Sequence, residues 1–419
     1  MTDMVQSNWA EGVEGFYIAH RMHIVSPAII ASLNESGCSD TQPQSGCVVR
    51  FARRRVALAM RCKILSLVCF FGLHSPAPAL AQAKVQEQEQ TSGRKFDNVY
   101  PFTAKSLWDG LKFRFTRNPA KWPESRPVKG TPNVGQSLRG SQAAITWVGH
   151  STFVIEFEGL RVLTDPVYSN WIGFNSLLSA TRVTPPALSL EQTPKVDLIL
   201  VSHDHFDHMD LPSLEFFARR DKPTIVAGLG SKPILEDAGF EKILTLDWYS
   251  KTEIREDVSV TFVPAQHWSM RVPFVRNVRL WGGFYLKVRD KTLYFVGDTG
   301  YHPKLFNEIR ERLGPVDFSF IPIGAYAPRD FVRDQHIDPS DAVKLHKDVQ
   351  SRQSVGMHFA TFQLTDEGID EPCQILNEST AANKLRADEF TCMDIGETRT
   401  IFSNELQAEN DQNTRKSAK

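Results

Sequence analysis

Residues 202–210 read Ser202-His203-Asp204-His205-Phe206-Asp207-His208-Met209-Asp210. His203, His205, Asp207 and His208 are four potential metal ligands close together in one short stretch. Neutral imidazole nitrogen and carboxylate oxygen are donors that zinc and similar divalent ions accept. His203 and His205, two apart, project to one side of an extended segment. Asp207 and His208 follow at a turn and face a different position. Three such groups and a water satisfy one ion, so four in so short a stretch suggest two ions side by side.

The flanks place this motif on a loop. Val196-Asp197-Leu198-Ile199-Leu200-Val201 is a short aliphatic run that suits a buried strand. Leu211-Pro212-Ser213-Leu214-Glu215-Phe216-Phe217 begins a helical period, with Asp210 as N-cap and Pro212 in the first turn. Layered α/β proteins put active sites at such strand ends. His267, Asp298 and His358 stand in the same relation to Ser259–Gln266, Leu293–Gly297 and Ser354–Met357. They supply the ligands that two ions would still need.

These residues resemble the metallo-β-lactamase superfamily, and longer strings resemble its branch of N-acylphosphatidylethanolamine-hydrolysing phospholipase D, in which bacterial RomA-like proteins also fall. The strings are Trp147-Val148-Gly149-His150-Ser151-Thr152, Leu163-Thr164-Asp165-Pro166, Ala265-Gln266-His267-Trp268 and Gly297-Asp298-Thr299-Gly300-Tyr301. Ile321-Pro322-Ile323-Gly324-Ala325-Tyr326-x-Pro328-Arg329 and Gln335-His336-x-Asp338-Pro339 are the more specific ones. The resemblance runs over 96–402 and implies an α/β fold, the four-layer αββα sandwich. It implies that His203, His205 and His267 hold a first metal ion, zinc or another divalent transition metal, that Asp207, His208 and His358 hold a second, and that Asp298 bridges them.

Asp165 matches an early aspartate of the family, expected to accept a hydrogen bond from the far nitrogen of a ligand histidine; the other reading is a turn aspartate before proline. His336 matches a histidine beside the substrate phosphate, expected to donate to phosphate or to the leaving oxygen; the other reading is a histidine at a helix start. Phe206 stands where the family commonly has tyrosine, so a phenolic contact to substrate is missing.

Two ions about 3.5–4 Å apart can share one water and lower its pKa to about 7. Asp298, Asp207, His336 and Asp165 are the residues expected to carry that catalysis. No Gly-x-Ser-x-Gly elbow and no Gly-rich Lys-Ser/Thr phosphate loop occurs. Hydrolysis by metal-bound hydroxide is the economical chemistry. The expected reaction cuts the headgroup phosphodiester of N-acylphosphatidylethanolamine, giving N-acylethanolamine and phosphatidic acid. The alternatives are a lactonase or esterase of the same fold, or a non-enzymatic envelope or regulatory protein.

The 48 basic and 49 acidic residues balance, which argues against nucleic acid as a partner. The expected partners are a phospholipid substrate, a peripheral membrane contact and a second copy in a homodimer. Met60-Arg61-Cys62-Lys63, the apolar run 64–73 and Ala79-Leu80-Ala81 have the layout of a secretory signal peptide. Residues 1–59 are then a gene-model extension or disordered leader, 60–81 the signal, 82–95 a linker, 96–403 the hydrolase domain and 404–419 a disordered tail. The expected location is the periplasm or envelope, the alternative the cytoplasm. Cys373 and Cys392 would remain, paired or as buried thiols.

Strands are expected at 144–148, 153–158, 197–201, 258–263, 293–297, 318–322 and 354–358, and helices at 211–220, 303–312, 340–350 and 374–385. The aperiodic apolar stretch Val167–Leu178 either contacts acyl chains or caps the sandwich. Phe262, Trp268, Phe274 and Trp281 are expected to line the same region.

Overall fold

The computed structural model describes residues 94–102, 105, 107–138, 142–174 and 179–402. The expectations for 1–59, 60–81, most of 82–95, 404–419 and Asn175–Leu178 fall outside the described residues.

Two seven-stranded sheets form the framework. The first is built from β1 (Ala143–Gly149), β2 (Thr152–Phe157), β3 (Leu160–Thr164), β6 (Leu198–Val201), β7 (Thr224–Gly228), β8 (Lys242–Leu246) and β18 (Thr398–Ile401), in the order β18-β1-β2-β3-β6-β7-β8. The second holds β9 (Lys251–Arg255), β10 (Val258–Pro264), β13 (Gly282–Val288), β14 (Lys291–Phe295), β15 (Phe318–Pro322), β16 (Gln353–Met357) and β17 (Phe390–Thr391), in the order β17-β16-β15-β14-β13-β10-β9. Two short hairpins stand apart, β4 (Trp171–Ile172) with β5 (Ala180–Thr181) and β11 (Met270–Val272) with β12 (Val275–Arg276). The helices are α1 (Leu107–Thr116), α2 (Leu211–Asp221), α3 (Lys232–Asp237), α4 (Pro303–Leu313), α5 (Arg329–Val332), α6 (Pro339–Asp348) and α7 (Glu371–Ala382).

Period-two side-chain alternation builds the layers. Ile145, Trp147, Phe153, Ile155, Val162, Leu198 and Leu200 point into a core shared with Val260, Phe262, Phe284 and Phe320 of the second sheet. Their neighbours Val148, Val154, Leu163, Ile199 and Val201 point outward, onto Leu214 and Phe217 of α2 and Leu235 of α3. Leu305, Phe306 and Ile309 of α4 and Val343 and Leu345 of α6 join the core of the second sheet. Phe153 and Phe320 touch across the sheets with ring centres 4.8 Å apart. This is the four-layer αββα sandwich.

Strand direction explains where the site forms. β1 and β3 are each antiparallel to β2, and β3 is parallel to β6, so β1, β3 and β6 run the same way. By the same pairing logic β10, β14 and β16 run together in the second sheet. His150, Asp165 and the 202–210 loop follow the first three, and His267, Asp298 and His358 follow the second three. The sheets are linked there, His358 N–H donating to the His150 carbonyl and Gly282 N–H to the Ser202 carbonyl.

Phe262 and Trp281 belong to the fully buried core and line no opening, contrary to expectation. Asp210 occupies the N-cap position of α2 without capping it. Its carboxylate accepts instead from Tyr168 N–H, Ser169 N–H and the Ser169 and Ser213 hydroxyls, holding the loop after β3. Cys373 and Cys392 form a disulfide that ties α7 to the strand region around β17.

Candidate metal centre

The seven ligand candidates converge from four strand ends, those of β6, β10, β14 and β16. His203 Nε2 lies 2.9 Å from His205 Nδ1, and His267 Nε2 lies 3.2 Å from the same atom. His208 Nε2 and His358 Nε2 are 3.1 Å apart and lie 3.5 and 3.4 Å from Asp207 Oδ2. Asp298 Oδ2 sits between the groups, 3.2 Å from His208 Nε2, 3.1 Å from His358 Nε2 and 3.8 Å from both His203 and His267 Nε2. The residues therefore fall into His203–His205–His267 and Asp207–His208–His358, the second joined by His150, with Asp298 Oδ2 within 3.8 Å of histidines of both.

This donor set fits cations. Imidazole nitrogens face one another at hydrogen-bond distance with no oxygen between them, and buried Asp298 Oδ1 and His205 Nε2 have no hydrogen-bond partner. Burial pushes the pKa of His203, His205 and His267 down, which keeps them in the neutral form a ligand requires. Burial also opposes charge on His208, yet the carboxylates of Asp298, Asp207 and Asp165 outweigh it and hold its pKa well above the usual value. Asp298 and Asp207 are held well below the ordinary carboxylate range: burial works against this, and His208 leads the groups that overcome it. Three neutral imidazoles stand beside ionised carboxylates that draw protons onto His208 and onto His358, raised to about 9, and a divalent metal would supply that positive charge in place of the protons.

The remote nitrogens are held in turn. His208 Nδ1 lies 2.6 Å from Asp165 Oδ2, His203 Nδ1 2.9 Å from Ser202 Oγ, and His267 Nδ1 donates to the Gln335 carbonyl at 2.9 Å. The Ser202 hydroxyl donates to Asp165 Oδ2 at 2.6 Å. Backbone strain accompanies this. His150, Asp165 and His358 all have positive φ, at 54°, 32° and 65°, a conformation that non-glycine residues seldom adopt. Gly297 has φ 69°, and a Cβ there would lie 2.7 Å from the Gly282 carbonyl oxygen and 2.9 Å from Ser202 Cβ. Glycine is what lets β14 hand Asp298 to the site.

His336 stands just before α6, with Nδ1 3.8 Å from Asp298 Oδ2 and its ring 5.1 Å from that of His267. Burial pushes its pKa down to about 4. Arg329 donates to the His336 carbonyl and pairs with Asp338 and Asp341, which fixes the loop. Phe206 is half-buried between Phe174, ring centres 4.8 Å apart, and the Arg271 guanidinium, 4.4 Å from its ring centre. Val167 and Ile172 pack with Phe362, whereas Trp171 and Phe174 are exposed, so the stretch after Pro166 is part cap and part open surface.

Several residues of the site had not been singled out as site residues. His150 is buried with Nε2 3.0 Å from Asp207 Oδ2, and burial pushes its pKa down to about 3. Its signal was present in Gly149-His150-Ser151. Buried Asp204 pairs with Arg279 at 3.0 Å, and Arg271 donates to the carbonyls of Asp204 and Met209. No local pattern marks these arginines, because their partners are distant in the chain.

Comparison with known proteins gives the family. The Beta-lactamase superfamily domain matches residues 160–359. N-acyl-phosphatidylethanolamine-hydrolyzing phospholipase D 1 of Caenorhabditis elegans is 36% identical over 264 residues, covering 60% of this chain and 74% of that one. The chain belongs to the metallo-β-lactamase superfamily, in the branch of this phospholipase D. The mitochondrial N-acyl-phosphatidylethanolamine-hydrolyzing phospholipase D of Saccharomyces cerevisiae is 32% identical over 274 residues, covering 64% of this chain; the chain spans 58% of that relative's length. Among solved structures, a metallo hydrolase from the archaeon Ignicoccus hospitalis is 22% identical with a TM-score of 0.48, covering 62% of this chain and 99% of that one. For a member of this superfamily, a metal-dependent hydrolase is the activity supported, and the His/Asp cluster is its candidate centre.

Proposed function

We propose that the chain is a dinuclear zinc hydrolase that cleaves the headgroup phosphodiester of N-acylphosphatidylethanolamine. The observation that carries this reading is the pair of ligand triads sharing Asp298, in a chain similar to two phospholipases named for that lipid. Bound ions in such a site acidify a water and neutralise charge on phosphoryl oxygens. The protein's own groups supply the rest. Asp298 faces both triads, His150 holds Asp207 in place, and Asp165 orients His208. His336, close to Asp298 and outside both triads, donates to a phosphoryl or leaving oxygen. In the reaction the water oxygen bonds to phosphorus, the P–O bond to the N-acylethanolamine breaks, and the departing oxygen takes a proton.

Export to the periplasm or envelope belongs to the same reading. Its support is the Cys373–Cys392 disulfide, since such bonds persist in oxidising compartments. N-terminal sequencing of the cellular protein that finds residues 1–59 intact overturns it. Among the described residues no helix is long and apolar enough to cross a membrane. Contact with lipid is proposed as peripheral.

The deciding assay offers the purified zinc-loaded chain N-acylphosphatidylethanolamine, a lactone and a carboxyl ester. Release of N-acylethanolamine with phosphatidic acid is expected. Turnover of the lactone or ester with none of the phospholipid overturns the proposal.

A further inference from the structure

The β11–β12 hairpin has a tip that the fold does not explain. Val272 pairs with Val275, leaving Pro273-Phe274 as a two-residue turn. Proline in the first central position followed by a residue with φ 68° is the type II arrangement. That second position favours glycine or asparagine, because a side chain in the left-handed region is strained. This chain places phenylalanine there and leaves it 77% exposed. Neither turn chemistry nor core packing accounts for that choice.

The hairpin lies beside the metal centre. Trp268, just ahead of β11, stacks edge-on with His205 at 4.4 Å. The Arg276 guanidinium covers Trp268 at 4.1 Å, and that of Arg271 covers Phe206, against which partly exposed Phe174 packs. Arg276 also donates to the Lys105 carbonyl, tying the hairpin to the chain entering α1. α1 exposes Trp108 and Phe115 with Lys112 between them at helical spacing. An apolar tip flanked by cations and aromatic rings matches the boundary layer of a bilayer with negative headgroups.

We propose that the β11–β12 hairpin, with Phe274 inserted, docks the protein on an anionic phospholipid surface and brings the metal centre to its substrate. This rests on the phospholipid reading above and names the surface that reading needs. Arg271 bonds to the carbonyls of Asp204 and Met209, so the docking element is braced directly on the ligand loop.

The test uses Phe274→Asn in the full chain, a substitution that suits the turn and keeps the fold. Binding is measured by co-sedimentation with phosphatidylcholine vesicles and with mixed phosphatidylcholine–phosphatidylglycerol vesicles, both free of N-acylated lipid. The parent is expected to prefer the anionic vesicles and to release them as salt rises. The variant is expected to bind them about tenfold or more weakly, as loss of one buried aromatic side chain implies, with unchanged turnover of bis(p-nitrophenyl) phosphate. Equal vesicle binding by parent and variant overturns the proposal, as does equal binding to neutral and anionic vesicles. A variant that instead changes oligomeric state in size-exclusion chromatography makes the tip a self-association surface and overturns it as well. Vesicle binding lost with Phe274, in a protein that never cleaves the N-acylated lipid, upholds docking while the substrate reading fails.

Discussion

Asp165 Oδ2 lies 2.6 Å from His208 Nδ1 and also accepts from the Ser202 hydroxyl, which in turn sits against His203 Nδ1. One buried carboxylate thereby reaches a histidine of each triad, the first through an intervening serine. Burial pushes the Asp165 pKa up, while His208 and Ser202 pull it back down.

Asp165→Asn is therefore expected to weaken both ions. Losing an outer partner of a ligand histidine costs about 10–100-fold in metal affinity. Competition with a chelator, read for each ion, checks this. Weakening confined to one ion shows that Ser202 does not relay the effect.

Two ions per chain are expected by elemental analysis, with Asp298→Asn losing both ions and hydrolysis of every substrate. His336→Asn is expected to keep both ions, because His336 completes neither triad, and to slow phospholipid cleavage about a hundredfold or more. A small activated phosphodiester, whose leaving group needs no proton, should suffer less. Loss of metal in His336→Asn makes it a ligand alongside His267 and Asp298, a grouping its position also permits.

β1, β6, β10, β14 and β16 were legible because each is a largely apolar run ending at a polar residue of the site, whereas β3, which hands over Asp165, was not among the expected strands. β10 and β15 begin and end within a residue of expectation, and α2 and α4 extend one residue beyond it. What escaped was structure with weaker local contrast. β8 and β9 carry charged and half-buried residues at a sheet edge, and β13 starts with two glycines and includes exposed Lys287. Gly282 and Gly283 are there because neighbouring strands pass too close for a side chain, a constraint set by tertiary contact. The site was partly readable for the same reason. The ligand candidates cluster in motifs, whereas Arg271 and Arg279 reach the ligand loop from more than sixty residues away.

The disulfide should matter for stability. Closing a loop between Cys373 and Cys392, 19 apart, is expected to contribute about 3 kcal/mol. Cys373→Ser should lower the denaturant midpoint, and a reductant should do the same to the parent protein but not to the variant. An unchanged midpoint in both shows that the bridge is thermodynamically silent.

Acid stability is expected to depend on a histidine outside the site. His346 of α6 is buried, with Nδ1 2.8 Å from Ser354 Oγ and its ring stacked on Phe390. Burial is the main cause that pushes its pKa down to about 4; Glu389 acts in the opposite sense and Lys347 assists. The unfolded chain, with an ordinary histidine pKa of about 6.5, binds this proton first. Stability from neutral His346 is thus complete above about pH 6.5 and lost as pH falls toward 4, a change on the order of 3 kcal/mol. His346→Gln removes that titration and leaves the metal-ligand histidines to respond to acid as before. Urea unfolding of both proteins between pH 7 and 4 should show the parent losing stability relative to the variant across this window. A difference between them that stays flat with pH means that His346 titrates normally in the folded protein.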